Sequence, residues 1–329
     1  MNTVAPGQYL PETSGDTARM TRHFRSEKFD FSSFFFTGLT GLATLLIIGI
    51  LVTILVNIIA NGWSGLSWHF VSSIPTKDFF DPATTGILPM IIGTAIRVVL
   101  MTIFVIPVGV ITAIYLTEYA PSNSLITRII RAAVNNLAGV PSIVFGLFGV
   151  GFFINFIGKN LDQVLHNSAA VWGHPALIWA SLTLAVMTMP VVIVATEESL
   201  KAIQPGLREA SLALGATKLE TILKIVLPQA LPGIMTGGIL AVSRAAGEVA
   251  PLLFTGVAYY MSSVPTHLSD QFMDLGYHVF VLSTQSPNID QTRPILYATV
   301  LVLLALTFAL NFVAILIRAQ VRKKLRSMH

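Results

Sequence analysis

Three charged residues lie inside long apolar stretches of this sequence. Arg244 and Glu248 are four residues apart in one stretch, and Arg97 lies in another. A charge in hydrocarbon costs at least about 2.5 kcal/mol on membrane-insertion scales, so such residues are functional candidates. A guanidinium carries a fork of donors that matches the oxygens of a tetrahedral anion. We therefore predict that Arg244 binds an anion that crosses the membrane, while Glu248 orients it or accepts a hydrogen bond from a protonated oxyanion.

These charges also have a structural interpretation. Arg244 and Glu248 would share one face of a helix, where they could neutralise each other and fix helix packing. Arg97 lies near one end of its apolar stretch and could extend its charged head to the membrane interface. The alternative for Arg97 is a role in the substrate pathway or its gating. The residues alone leave these interpretations open.

Residues 197–230 carry too much charge to cross a membrane and too regular an apolar pattern for a loose loop. A short helix is predicted before Gly215, a residue suited to the turn that ends it. Thr217 and Glu220 form a capping-box pattern, and the helix that starts there is expected to stop at Pro228. The pattern predicts a helix-turn-helix elbow at the membrane surface, which by helix physics alone could simply rest on the bilayer.

Long apolar stretches must position these residues. Apolar residues make up 53% of the sequence and charged residues 11%, whereas about a quarter of an average soluble protein is charged. Roughly 20 apolar residues cross the hydrocarbon as a helix. We predict an all-α polytopic membrane protein with six spans: Phe34–Ala60, Gly86–Leu116, Leu137–Ile157, Ala176–Thr196, Leu231–Val257 and Ile295–Ile317.

Small residues recur every four positions along the fifth span, at Gly233, Gly237, Ala241 and Ala245. Such a stripe lets another helix approach closely in lipid, where there is no hydrophobic force between helices. The fifth span is therefore expected to pack at the centre of the molecule.

Positive residues concentrate in alternate segments. Of the 20 Lys and Arg residues, all but five lie in the N-terminal arm, the loops after the second and fourth spans, and the C-terminal tail. Because positive residues favour the cytoplasmic side, both termini and the elbow are expected there. The basic tail after residue 317 is expected to contact anionic membrane lipids. A nucleic-acid partner is not expected, because no basic folded domain or aromatic platform accompanies the tail.

Two other functions lack support. The sequence contains no G-x4-G-K-[ST] phosphate loop, so the chain is not expected to be an enzyme that hydrolyses ATP or to bind a cofactor itself. His267, Asp270, Asp274 and His278 could suggest a metal site, but apolar residues alternate with them and favour an amphipathic outer helix. We expect no metal, and expect this loop to cap the pathway or meet a solute-binding protein.

The elbow resembles a known motif. The run E-A-S-L-A-L-G from Glu209 to Gly215, followed by I-V-L-P ending at Pro228, is similar to E-A-A-x3-G-x9-I-x-L-P of ABC importer permeases. In that family the motif forms a coupling helix that docks in a cleft of a cytoplasmic ATPase. The resemblance assigns this role to Glu209, Ala210, Ser211, Gly215 and Pro228, with Ser211 in place of the second alanine. It also implies the type I importer permease fold.

Two segments resemble PstA-type permeases of bacterial phosphate importers more narrowly. They are S-R-A-A-G-E-V-A-P-L-L-F-T-G from Ser243 and N-N-L-A-G-V-P-S-I-V-F-G from Asn135. The similarity covers about residues 86–317, a permease domain with its coupling segment at 200–228. Before it come a cytoplasmic arm (1–33) and the first span with an outer loop (34–85), and after it the basic tail (318–329).

The resemblance implies a set of partners in the bacterial inner membrane. These are a homologous PstC-like permease, two PstB-like ATPases that hold ATP and Mg²⁺, and a PstS-like phosphate-binding protein. The assignment of phosphate as the substrate rests on the resemblance, since residue chemistry alone supports only an anionic substrate. The alternatives are another oxyanion such as sulfate, molybdate or phosphonate, an ion-driven secondary transporter with Glu248 as a proton relay, and a subunit that reports phosphate status without transport.

Overall fold

The computed structural model describes residues 31–75, 80–81, 85–121, 123–165 and 170–326. Within these ranges the chain is helical, and its β-structure is limited to one isolated bridge between Val257 and Phe272. The predicted N-terminal arm up to residue 30 and the last residues of the basic tail lie outside the described ranges.

The α-helices are α1 (Phe31–Gly62), α2 (Trp68–Ser72), α3 (Leu88–Ile114), α4 (Leu125–Leu137), α5 (Ser142–Phe148), α6 (Lys159–Leu165), α7 (Leu177–Lys201), α8 (Pro205–Ala213), α9 (Lys218–Thr221), α10 (Leu227–Ala246), α11 (Leu252–Thr255), α12 (Leu275–Thr284) and α13 (Ile289–Arg326). π-helical segments extend α3 (Tyr115–Tyr119), join α5 to α6 (Gly149–Gly158) and join α9 to α10 (Ile222–Val226).

Six of the described helical stretches are long and apolar enough to cross a membrane, which confirms the predicted fold class and number of spans. We call them spans one to six: Phe34–Gly65, Leu88–Tyr119, Ser142–Leu165, Leu177–Lys201, Lys218–Ala246 and Ile289–Lys323.

The chain divides into two compact units, one ending at Thr53 and the other starting at Ile54. In the first unit, the hydroxyls of Thr40 and Thr44 donate to backbone carbonyls one helical turn earlier. The apolar side chains of this part of α1 are exposed. A helix that is apolar all round and satisfies its own polar groups is typical of a surface that faces lipid or another subunit.

Spans two, four and five share a core in the second unit. The core contains buried side chains from each of them, among them Val98 and Met101 of span two, Leu184 and Val192 of span four, and Ala241 and Ala245 of span five. Span four is the most enclosed of the six spans.

Small residues allow spans four and five to approach closely. A Cβ atom added at Gly237 would lie 2.7 Å from the Cβ of Ala195, and one at Gly233 would overlap the Ser199 side chain. The two alanines of the stripe are fully buried. The four-residue pattern of span five is therefore its packing face against span four.

Span five starts and ends before its predicted window of Leu231–Val257. It runs from Lys218 to Ala246, so the prediction that the second elbow helix stops at Pro228 is wrong. The π-helical segment just before Pro228 widens the helix, which lets the proline ring avoid the preceding turn. At the other end, the helix gives way at Gly247 to a non-helical stretch, consistent with the low helix propensity of glycine.

Replacing Gly237 with Leu is expected to destabilise the contact between spans four and five by about 1–3 kcal/mol, the usual cost of forcing atoms into a packed core. The melting temperature of the purified protein in detergent should fall. Gly151→Leu is the matched control, because a Cβ atom added at Gly151 in span three would meet nothing within 4 Å. Equal melting temperatures for the two variants would contradict the packing role of Gly237.

Candidate functional site

Arg97, in span two, is completely enclosed. Its side chain has no exposed surface, and its Nη2 atom lies 2.8 Å from Oδ2 of Asp274. Nη1 donates to the carbonyl of Ala245 at 2.8 Å, and Nη2 donates to that of Ala246 at 3.4 Å. These carbonyls belong to the last turn of span five, where backbone oxygens lack helical donors. Arg97 therefore caps span five, and the predicted extension to the membrane interface is wrong. A gating role for Arg97 stays a prediction.

Asp274 connects this arginine to a third helical element. Its Oδ1 accepts from the backbone N–H of Tyr277 at 3.2 Å, so Asp274 is the N-cap of α12. Its Oδ2 also accepts from the hydroxyl of Thr94 at 2.9 Å, and that hydroxyl accepts from the N–H of Leu275 at 3.0 Å. Both carboxylate oxygens are thus used, as a buried ion pair requires.

The pair of Arg97 and Asp274 is not evident from sequence. The pattern of His and Asp residues predicts a helix that already includes His267, whereas α12 starts only at Leu275. Spacing along one helix does not reveal a partner that is 177 positions away, the difference between 274 and 97. Only side-chain chemistry could have predicted the pair from the sequence, because an arginine buried in an apolar span requires an acidic partner.

Arg244 and Glu248 lie at the end of span five in a more open setting. Nε of Arg244 is 3.6 Å from Oε1 of Glu248, and the side chains are 42% and 22% exposed. Glu248 lies beyond the helix, so the prediction that both residues share a helical face is wrong, and the pair forms across the break. At that distance they form an ion pair but no hydrogen bond. Within the described part of the chain, the side-chain N–H groups of Arg244 make no hydrogen bond.

The face of span five that carries Arg244 is uncovered in this chain. Leu240, Ser243, Arg244 and Gly247 are exposed, and their spacing of three or four residues places them on one side of the helix. The opposite side is buried against span four. An exposed guanidinium with unused donors beside a carboxylate can hold an anion that has both hydrogen-bond acceptors and a proton to donate.

The elbow has the predicted turn. Gly215 has a φ of 87°, a conformation that favours glycine. The hydroxyl of Thr217 accepts from the N–H of Glu220 at 3.2 Å, and Glu220 Oε2 accepts from the N–H of Thr217 at 3.0 Å, which confirms the capping box. Ser211 Oγ lies 2.9 Å from Thr221 Oγ1. The hydroxyl that replaces alanine in the motif therefore joins the two elbow helices.

Arg208 attaches the elbow to two spans. Its Nη2 and Nε atoms donate to Oε1 of Glu118, in the last turn of span two, at 2.9 and 3.2 Å. Its Nη1 donates to the carbonyl of Ile203 at 2.9 Å and its Nη2 to that of Leu200 at 2.7 Å, where span four ends. The Glu118 side chain is only 10% exposed. The sequence does not predict this contact, because the two residues are 90 positions apart.

The outer surface of the elbow is open and partly apolar. Glu209, Ala210 and Leu214 are exposed, Leu214 to 90%. The structure brings Glu209, Ala210, Ser211 and Gly215 together in the elbow, whereas Pro228 is half-buried within span five. Exposed apolar side chains beside a charged residue are typical of a surface that meets a protein partner.

Two groups in α12 and in the loop before it, His278 and Asp270, have lowered pKa values. Burial lowers the pKa of His278 to about 3, so its ring is neutral at physiological pH. The pKa of Asp270 is lowered because the backbone N–H groups of His267 and its preceding neighbour donate to the carboxylate. Asp270 also lines an open cavity of about 610 Å³ together with His174 and Gln271. The expected absence of a metal stays a prediction.

Comparison with known families gives a match over most of the chain. The family described as "binding-protein-dependent transport system inner membrane component" matches residues 105–327. The chain is 36% identical to the probable ABC transporter permease protein YqgI of Bacillus subtilis over 67% of this chain and 68% of that protein. It is 34% identical to the phosphate transport system permease protein PstA of Mycobacterium leprae over 67% of this chain and 66% of that protein.

A further relative is the phosphate transport system permease protein PstA 1 of Mycobacterium tuberculosis (strain H37Rv), with 35% identity over 62% of this chain and 61% of that protein. Each alignment thus leaves roughly a third of the relative's length unmatched.

Solved structures have the same fold. The crystal structure of a bacterial alginate ABC transporter, in complex with a periplasmic protein bound to an alginate pentasaccharide, has a chain with a TM-score of 0.60 and 14% identity. The match covers 86% of this chain and 93% of that chain. At this identity the likeness establishes the fold alone, which is the type I ABC importer permease fold that the sequence predicts.

Replacing Arg97 with Met would leave the carboxylate of Asp274 buried without its charge partner and span five without its cap. Breaking a buried pair costs about 3–5 kcal/mol, so we expect a much lower melting temperature in detergent or loss of folded protein. Adding Asp274→Asn to Arg97→Met should recover part of the loss, because an amide can still cap α12 without a charge.

The exposed pair of Lys224 and Glu220 provides the control for this experiment. Lys224 is 72% exposed, and Lys224→Met should change stability by less than about 1 kcal/mol. A melting temperature of Arg97→Met equal to that of Lys224→Met would show that the enclosed pair does not hold the fold together.

Proposed function

Because the chain belongs to the family of binding-protein-dependent transport system inner membrane components, we propose that it imports inorganic phosphate through the bacterial cytoplasmic membrane. The protein is a multi-pass membrane protein and a permease subunit of an ABC transporter. Phosphate is supported by the similarity to PstA permeases. The single observation that supports an anionic substrate is the exposed guanidinium of Arg244 with its unused donors.

Arg244 and Glu248 would recognise phosphate together. The guanidinium fork of Arg244 matches two oxygens of the anion. Glu248, 3.6 Å away, would accept a hydrogen bond from the protonated oxygen of monohydrogen phosphate, and sulfate has no such proton at neutral pH. This pairing would favour phosphate over sulfate. The anion would pass without any bond being made or broken, so the chain would act as a permease and not as an enzyme.

ATP hydrolysis by partner subunits would provide the energy. The exposed surface formed by Glu209, Ala210 and Leu214 would dock in a cleft of a PstB-like ATPase, which would hold ATP and Mg²⁺ while this chain binds no cofactor. Arg208 would transmit the movement of the elbow, because it bonds both Glu118 of span two and the end of span four. The resulting movement of the spans would expose the pathway alternately to the two sides of the membrane.

Other partners would complete the transporter. A homologous PstC-like permease would cover the open face of span five and form the pore with it. A PstS-like protein would deliver phosphate at the end opposite the elbow, where the cavity beside Asp270 lies. This arrangement requires the elbow and both termini to be cytoplasmic, as the distribution of positive residues predicts. The basic residues of the tail would then contact anionic lipids.

The first test is phosphate uptake by cells that lack this chain and receive either the wild type or Arg244→Gln. Wild type should restore ATP-dependent uptake of radioactive phosphate that excess sulfate does not inhibit. Arg244→Gln should reduce the rate by at least about tenfold, because an uncharged amide loses the charge-assisted hydrogen bonds to the anion.

Three outcomes of that test would contradict the proposal. Absence of phosphate uptake with wild type would rule out phosphate as the substrate. Inhibition by sulfate would favour a permease for another oxyanion. Uptake that persists without ATP but stops when the ion gradient is removed would favour a secondary transporter.

A second test reverses the charge of the elbow. Glu209→Lys should abolish uptake and the co-purification of the ATPase without lowering the amount of this chain in the membrane, because Glu209 is exposed. Asp290→Lys is the control, an exposed acid at the start of span six. ATPase co-purification and uptake that are normal in Glu209→Lys would rule out a docking role for the elbow.

A further inference from the structure

Asn311 of span six reaches the open face of span five. Its Oδ1 lies 3.0 Å from the hydroxyl of Ser243, and that hydroxyl is also 2.9 Å from the carbonyl of Ile239. Ser243 is exposed on the side of span five that carries Arg244, and Asn311 is half-buried. The contact therefore places an amide from a second span at the edge of the face proposed to bind phosphate.

Asn311 is an unusual residue for its position. Between Ile295 and Ile317 it is the only side chain with an amide or a formal charge. A polar group in hydrocarbon is costly unless it has a partner, so polar residues in membrane spans usually face the interior of a bundle or a water-filled cavity. Packing on Ser243 accounts for only part of its hydrogen-bonding capacity.

The donor side of the amide has no protein partner. The contact with Ser243 uses Oδ1 as the acceptor, and among the described residues Nδ2 donates to no atom of this chain. An amide has two N–H donors at this nitrogen. The single proton of the Ser243 hydroxyl is shared between Oδ1 of Asn311 and the carbonyl of Ile239. This shared contact turns Oδ1 toward Ser243 and leaves both N–H groups of the amide on the side away from it.

We propose that Asn311 is a second, neutral position for the anion, with its Nδ2 group donating to phosphate oxygens, and that Ser243 is the positioning residue that orients it. This inference rests on the proposed import of phosphate along this face. A neutral donor next to Arg244 suits a pathway, because each site must bind strongly enough for entry and weakly enough for release. Asn311 would take up the anion as it leaves the charged site.

The test uses the whole transporter in lipid vesicles with saturating binding protein, and measures phosphate uptake and ATP hydrolysis in the same sample. Asn311→Leu, which has a similar size but no donors, should lower the maximal uptake rate by about tenfold, as expected when a hydrogen bond to a charged group is lost. ATP hydrolysis should fall less, so that fewer phosphate ions enter per ATP. Ser243→Ala should lower uptake less than Asn311→Leu, because it leaves the amide donors in place.

Two further variants separate recognition of the anion from helix packing. Asn311→Asp keeps an acceptor for Ser243 but replaces the donors with a negative charge, so it should lower uptake at least as much as Asn311→Leu. Thr299→Val is the control, because the Thr299 hydroxyl is buried and bonds only within span six, to the carbonyl of Ile295. Its uptake should equal that of the wild type.

Three results of these uptake measurements would contradict the inference. Equal effects of Ser243→Ala and Asn311→Leu, or an unchanged number of phosphate ions per ATP in Asn311→Leu, would overturn the inference and leave a contact that only joins spans five and six. Absence of phosphate uptake by the wild-type transporter would overturn the proposed function, and this inference with it.

Discussion

An ion pair without exposed surface holds three helical elements together at the end of the bundle opposite the elbow. Arg97 binds Asp274 and the last carbonyls of span five, and Asp274 starts α12. A helix can end among apolar side chains only if its terminal carbonyls find donors, and the positive charge also complements the negative end of the helix dipole. This guanidinium therefore stabilises the end of span five, beside which Arg244 and Glu248 lie.

The two arginines in the apolar stretches are used in opposite ways. The side chain of Arg97 is fully enclosed and both of its terminal nitrogens donate to protein oxygens, so it is suited to holding the fold and not to binding a solute. Arg244 is 42% exposed and is paired only loosely with Glu248, so its donors remain available. Their side-chain chemistry is identical, and only the partners that folding brings to each of them assign the different roles.

The elbow is bonded directly to the helical bundle. Arg208 ties the elbow to the ends of spans two and four, and spans four and five approach each other closely at Gly233 and Gly237. A displacement of the elbow would therefore reach all three spans directly. Arg97 connects spans two and five again at the far end, beside the face that carries Arg244.

The sequence by itself determined the six spans, the capping box at Thr217 and the glycine turn at Gly215, because apolar length and local hydrogen bonding depend on neighbouring residues. It also marked Arg244 as a candidate for binding an anion, since a charge in an apolar stretch is visible without coordinates. Tertiary structure alone decided that Arg97 pairs with Asp274, that Arg208 pairs with Glu118, and that Arg97 bonds the last carbonyls of span five. These features join residues far apart in the chain, and no local pattern specifies which distant group will satisfy a buried charge or an unpaired carbonyl.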